Sequence, residues 1–232
     1  MKKVLIIYVL LCTIINAQAQ KKNHIGIDPF SPIFGTFQIQ YERSIVDKLS
    51  VSLTTSYKWS SGLFEIPGIR FGSFSTRDFS FEGFKVVPEF RYYVQNTESG
   101  LFGFYIGIYA KYQDSTGDID GEYTDSDDIE FPIRMDAKIQ TIATGFQAGY
   151  KLRVKRRFFI DFLIFGPGIS YSEFELVEKE PVPQAFYDDL SEALEEYGFF
   201  DVINANFNIN ANQKTNITLP AFRYGFKLGY AF

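Results

Sequence analysis

Seven charged residues stand singly inside runs that otherwise alternate apolar with small or polar side chains: Glu42, Glu89, Arg91, Lys151, Asp161, Arg223 and Lys227. If those runs are strands that close on one another, four cations and three carboxylates share one interior. Paired and hydrogen-bonded, they form a plug that shuts and stiffens a narrow lumen; left partly free, they line an ion path or hold a small charged ligand. The plug is the expectation, because removing one member of a buried, matched set costs on the order of 3–5 kcal/mol.

Other chemistry is poorly supplied. The single histidine, His24, has no serine or acid beside it in a catalytic pattern and reads as a strand-end residue, so neither a catalytic residue nor enzyme activity is expected. The single cysteine, Cys12, lies in an apolar leader after Leu11, where a lipoprotein cysteine would follow a small residue. No Cys/His cluster suits zinc and no glycine loop cradles phosphate, so no metal and no cofactor are expected. Asp114, Asp118, Asp120, Glu122, Asp125, Asp127, Asp128 and Glu130 crowd one segment. Asp118-Ile-Asp-Gly121 opens like a calcium loop but lacks its closing glutamate and flanking helices. A solvated acidic loop is expected, with cation bridging to lipopolysaccharide phosphates as the alternative.

The elements that must position the seven charges are strands. Phe222, Tyr224, Phe226, Leu228, Tyr230 and Phe232 share one face, opposite Arg223, Gly225, Lys227, Gly229 and Ala231. The same contrast recurs at 35–45 and 49–59 around a turn at 46–48, at 84–94 and 102–111 around 95–100, and at 141–152 and 158–164 around 153–157. In the second of these hairpins Phe102, Phe104, Ile106 and Ile108 form the apolar face. Gly166-Pro-Gly168 marks a bend or bulge. A short strand at 24–28, turned by Pro29 to Pro32, completes eight. Glycines at 103, 107, 145, 149, 225 and 229 leave room on the polar side.

Lys2 and Lys3, the apolar run Val4 to Ile15 and Ala17-Gln-Ala19 form a secretory leader, so residues 1–19 are a signal peptide and 20–232 one barrel domain. Losing the leader moves the formal charge from −5 to −7, which disfavours nucleic acid. The leader is too short to span a bilayer as a helix and no later segment is apolar enough, so any crossing is made by strands. Aromatics at 18%, with 26 Phe and 15 Tyr, suit a lipid-facing wall with interfacial girdles.

Short connections at 46–48, 95–100 and 153–157 alternate with long ones at 60–82, 114–134 and 175–215, as in bacterial barrels with periplasmic turns and external loops. The reading is an all-β, eight-stranded antiparallel up-and-down transmembrane β-barrel in the cell outer membrane. Eight strands enclose an interior that side chains fill, so no open pore is expected. Phe186, Leu190, Leu194 and Tyr197 predict one helix over 184–197, in the longest external loop. Asn204 to Asn216 extends the last hairpin.

The leader, the aromatic terminal strand and Asp28-Pro-Phe-Ser-Pro-Ile-Phe-Gly-Thr-Phe-Gln-Ile-Gln-Tyr-Glu-Arg43 together resemble small outer-membrane barrel proteins of Bacteroides-type bacteria. That resemblance implies recognition by the barrel assembly machinery through Phe232, with Tyr230 and Leu228 behind it. It adds no catalytic residues. The partners expected are outer-membrane lipid, lipopolysaccharide and an extracellular molecule met by the loops, with the chain a monomer in a structural or surface-interaction role. The competing reading is a soluble periplasmic lipocalin-like barrel, whose aromatics would line a cavity for an apolar ligand.

Overall fold

Period-two alternation fixes which way each side chain points, and it persists through nearly every ladder of the sheet. The computed structural model describes residues 22–59, 70–71, 74–95, 101–125, 127–196 and 212–232. The leader, most of 60–73 and the stretch 197–211 lie outside these residues. The strands are β1 (Asn23–Ile27), β2 (Thr36–Val46), β3 (Leu49–Lys58), β4 (Arg70–Phe71), β5 (Phe74–Tyr93), β6 (Gly103–Thr124), β7 (Glu130–Arg153), β8 (Phe158–Glu178) and β9 (Lys214–Ala231). The helix α1 (Gln184–Glu196) lies between β8 and β9. Sequence neighbours pair antiparallel, β3 pairs with β5, and β1 pairs with β9, so eight strands close a ring and β4 hangs from β5 alone.

The seam between β1 and β9 is short, running from His24↔Ala231 to Ile27↔Leu228. By contrast β6 and β7 pair without interruption from Gly103↔Lys151 to Thr124↔Glu130. The segment expected to be an external loop at 114–134 is therefore mostly strand, turned tightly at 125–129. There the Asp125 carboxylate accepts the backbone N–H groups of Asp127 and Ile129, both at 2.9 Å. Likewise β5 begins at Phe74, inside the expected loop 60–82, and β8 runs on to Glu178. Beyond the apolar belt the outer face of these strands turns polar while apolar side chains such as Ile119, Tyr123 and Ile133 move to the inner face, so the outward apolar stripe that marks a strand in sequence is lost while the backbone ladder continues.

At the other end Asp47 and Lys48 turn the chain, with Lys48 at φ 68°. After β1 the Asp28 carboxylate accepts the N–H groups of Phe30 and Ser31 and starts a single 3₁₀ turn, Ser31–Phe34, which Gly35 ends at φ 65°. Gly103 adopts φ 94°, which interrupts the alternation just before β6. Phe102, expected on the outer face, consequently turns inward and is buried with Phe159 and Ala231. The register of β8 against β9 shifts between Leu163 and Gly166, so Ile164 and Phe165 are both exposed.

The polarity of the barrel is inverted relative to a soluble domain. Phe37, Leu53, Phe90, Ile106, Phe146, Ile164 and Tyr224 are among many large apolar side chains exposed on the outer wall. The polar alternates between them point inward. Far from the short turns, Tyr123, Ile133, Met135, Ala137 and Leu176 form an apolar cluster on the inward face of the extended strands, where Phe186 and Tyr187 of α1 cover them.

Candidate functional site

The seven lumen charges come from five strands of the ring, β2, β5, β7, β8 and β9, and the alternation aims them inward. Arg91 on β5 is fully buried, and its guanidinium reaches three carboxylates, one two residues back on its own strand and one each from β2 and β8. Nη2 lies 2.6 Å from Glu89, while Nη1 lies 2.7 Å from Asp161 of β8 and 3.4 Å from Glu42 of β2. Lys151 of β7 pairs with the same Glu42. Arg223 of β9 reaches Glu89 at 2.8 Å. Contacts therefore run across the lumen as well as around the wall, tying β2, β5, β7, β8 and β9 together.

Neutral donors fill the remaining lone pairs. Glu42 accepts from Ser50 at 2.6 Å and Tyr93 at 2.8 Å. Glu89 accepts from Ser52 at 3.0 Å and Gln147 at 3.0 Å, and Asp161 accepts from Tyr105 at 2.9 Å. Gln147 in turn accepts from Arg223 at 3.1 Å, and Gln40 donates to Ser52. Guanidinium groups also stack on aromatic rings, Arg91 4.4 Å above Tyr105 and Arg223 4.4 Å above Tyr109. A buried charge surrounded in this way has its lost hydration replaced by fixed partners.

Six of the seven residues singled out from the sequence are within this connected set: Glu42, Glu89, Arg91, Lys151, Asp161 and Arg223. Lys227 lies on the same lumen wall and is buried, but no carboxylate reaches it within ion-pair distance among the described residues. Several members carried no charge to betray them: Tyr93, Tyr105, Gln147, Gln40, Ser50 and Ser52. The signal was their place on the inward phase of strands whose other phase is apolar. His24 is more than a strand end, because it is buried between Phe102 and Phe159 with Nδ1 3.2 Å from Lys151 Nζ. Lys58, Lys85, Lys111 and Arg153 also fall on the inward phase, so among the described residues lumen cations outnumber the three carboxylates of the network.

The chain end is held by the seam. Phe232 exchanges backbone hydrogen bonds with Asn23, Tyr230 accepts a 2.7 Å bond from Arg157, and Leu228 is exposed on the outer wall.

The acidic stretch divides into two parts. Asp118 and Asp120 sit on β6, and Asp118 together with Asp136 of β7 holds Lys179, each at 2.7 Å. Hydrogen bonds from Lys179 lower the Asp118 pKa, and those carboxylates raise that of Lys179. Arg134 pairs with Asp120 at 3.5 Å and Glu180 at 3.2 Å. Among the described residues no three metal-ligating side chains converge. Under α1, burial and a 2.8 Å bond to Asp189 push the Tyr123 hydroxyl up to about 12.

These features define a small antiparallel β-barrel of eight strands, apolar outside and charged within. The chain belongs to the family described as Protein of unknown function (DUF3575), whose model matches residues 4–183. The crystal structure of Acinetobacter baumannii CarO is similar at 10% identity, covering 94% of this chain and 100% of that one with a TM-score of 0.44. No curated protein matches the sequence.

Proposed function

We propose that the chain is an integral outer-membrane barrel whose charged interior plugs the lumen and whose raised strands and α1 meet molecules outside the cell. The observation that carries this reading is the inverted polarity: ion pairs and glutamines inside, a continuous belt of Phe, Tyr, Ile and Leu outside. Such a belt is costly in water and favourable in hydrocarbon. β2 with 11 residues and β3 with 10 have the length that a tilted strand needs to cross a bilayer, about 9–11 residues. What weighs against a soluble carrier is that its aromatics would line an apolar cavity, whereas here most face out and those inside, such as Tyr93 and Tyr105, bond to the lumen carboxylates.

In this reading residues 1–19 direct export, the short turns lie in the periplasm, and Leu228, Tyr230 and Phe232 present the assembly machinery with its signal. Lipid and lipopolysaccharide surround a monomer, no reaction is assigned, and kinship with Bacteroides-type barrels belongs to the same proposal. The test is gel mobility of the detergent-purified protein with and without boiling. A faster unheated band, together with no steady conductance in a planar bilayer, is expected. Solubility without detergent and no mobility shift would sink the membrane reading, and a stable open conductance would sink the plug.

A further inference from the structure

The lumen holds more positive charge than its carboxylates can neutralise, and the excess is gathered on one side of the Arg91 network. Lys85 of β5 has Lys111, Arg223 and Lys227 as its main charged neighbours, with Asp28 a weaker opposite one. Lys111 faces Arg223. Lys227 has Arg91 and Arg223 as like-charged neighbours and Glu89 and Asp161 as opposite ones. Both of those carboxylates are already engaged by guanidinium groups, Glu89 by Arg91 and Arg223, Asp161 by Arg91. Among the described residues Lys85, Lys111 and Lys227 therefore have no ion-pair partner, although like charges held together in a low-dielectric interior repel strongly.

Beside Lys85, alone of these three, there is space lined by donors. A cavity of about 90 Å³ is bordered by Lys85, Lys58, Ser56, Ser115, Thr36 and Gln113, with no carboxylate on its lining. Lys58 already donates to the Phe34 carbonyl at 2.8 Å, and Gln113 donates to Ser115, whose own hydroxyl hydrogen faces no acceptor among the described residues. We propose that this cavity, with Lys85, Lys58, Ser56 and Ser115 on its lining and the unpaired Lys111 and Lys227 adding positive charge nearby, binds a small soluble oxyanion of the phosphate or sulfate class. One tetrahedral anion fits the volume, its charge answers the unpaired lysines, and its several oxygens use the hydroxyl donors that a halide would leave idle.

The proposal needs the barrel but not the membrane, so it survives a failure of the outer-membrane reading. The experiment is calorimetric titration of the purified protein in detergent with inorganic phosphate at constant ionic strength, in chloride background. A single saturable event is expected, weakened about tenfold or more by K85Q, as loss of one charge-assisted hydrogen bond implies, and several-fold by K111Q, which removes only a neighbouring charge. S56A, which keeps every charge, should weaken it several-fold and serves if a lysine variant does not give the heat-modifiable folded band. K155Q, in an exposed short turn, should bind like the parent. Absence of saturable phosphate binding by the parent, or equal binding in all variants, overturns the proposal. So does binding of a phosphorylated lipid in mixed micelles with no response to inorganic phosphate.

Discussion

Arg91 is the residue whose loss the barrel should feel most. R91M keeps an unbranched chain of similar length against Tyr105 but withdraws the charge from three buried carboxylates. They are not equally exposed to the loss. Glu89 keeps Arg223, Ser52 and Gln147, and Glu42 keeps Lys151, Ser50 and Tyr93. Asp161 keeps the Tyr105 hydroxyl alone among its described bonding partners. Breaking a buried pair by removing one partner costs about 3–5 kcal/mol. With a urea dependence of roughly 1–3 kcal/mol per molar, the unfolding midpoint should fall by about 1–5 M. Because most of the penalty sits on Asp161, D161N in the R91M background should return roughly 1–3 kcal/mol instead of adding its own cost. Urea unfolding followed by fluorescence of Trp59, the only tryptophan, measures both. A midpoint shift below about 0.5 M for R91M, or additive losses in the double variant, would refute the view that these charges are mutually dependent.

Two further outcomes are expected. A Cβ on Gly149 would lie 2.4 Å from the Phe162 carbonyl oxygen and from the Tyr105 hydroxyl, whereas one on Gly225 meets nothing within 4 Å. G149A should therefore cost about 1–3 kcal/mol and G225A less than about 0.5 kcal/mol in the same urea assay; equal effects would contradict the packing. The buried Tyr123 hydroxyl ionises near 12 in the folded protein, against about 10 when exposed. Its contribution is complete below pH 10 and is lost as pH rises through 12, so protection of α1 from proteolysis should decline across that interval. The ultraviolet difference between the parent and Y123F should show one late-titrating tyrosine, and a midpoint near 10 would be the contrary result.

Much of this molecule was legible because an apolar outer wall imposes a simple code. Wherever one face had to be apolar, as from Ile142 to Leu152 or Phe222 to Tyr230, the alternation gave the strand, its inward phase and its hairpin partner. Where the outer face turns acidic and the inner one carries only Ile119 and Tyr123 among small residues the code falls silent, which is why Asp114 to Thr124 read as loop although it pairs residue by residue with β7. Phe102 was assigned the wrong face because a positive-φ glycine at 103 breaks the alternation, a backbone property that composition does not reveal. The site was legible in its charges, but Tyr93, Tyr105 and Gln147 are ordinary polar residues until the ring closes. Lys85 and Lys111 stood in phase with the others, and the excess of cations became visible only when all inward positions were counted together.

The short seam has a consequence for how the ring is made. β1 contributes five residues and only four pairs to β9, drawn from opposite ends of the chain, while every other junction of the ring is a longer ladder. Pairings between residues far apart in sequence carry the greatest loop-closure cost and form late. Hairpins such as β6–β7 can zip locally, leaving a curved open sheet whose two edges must find each other last. Lys151 then acts as a latch: through His24 on β1 and Glu42 on β2 it fastens the first edge to the far wall. The unequal ladders thus make the β1–β9 seam the junction whose closure costs most chain entropy for the fewest pairs, which favours ring closure as a late step.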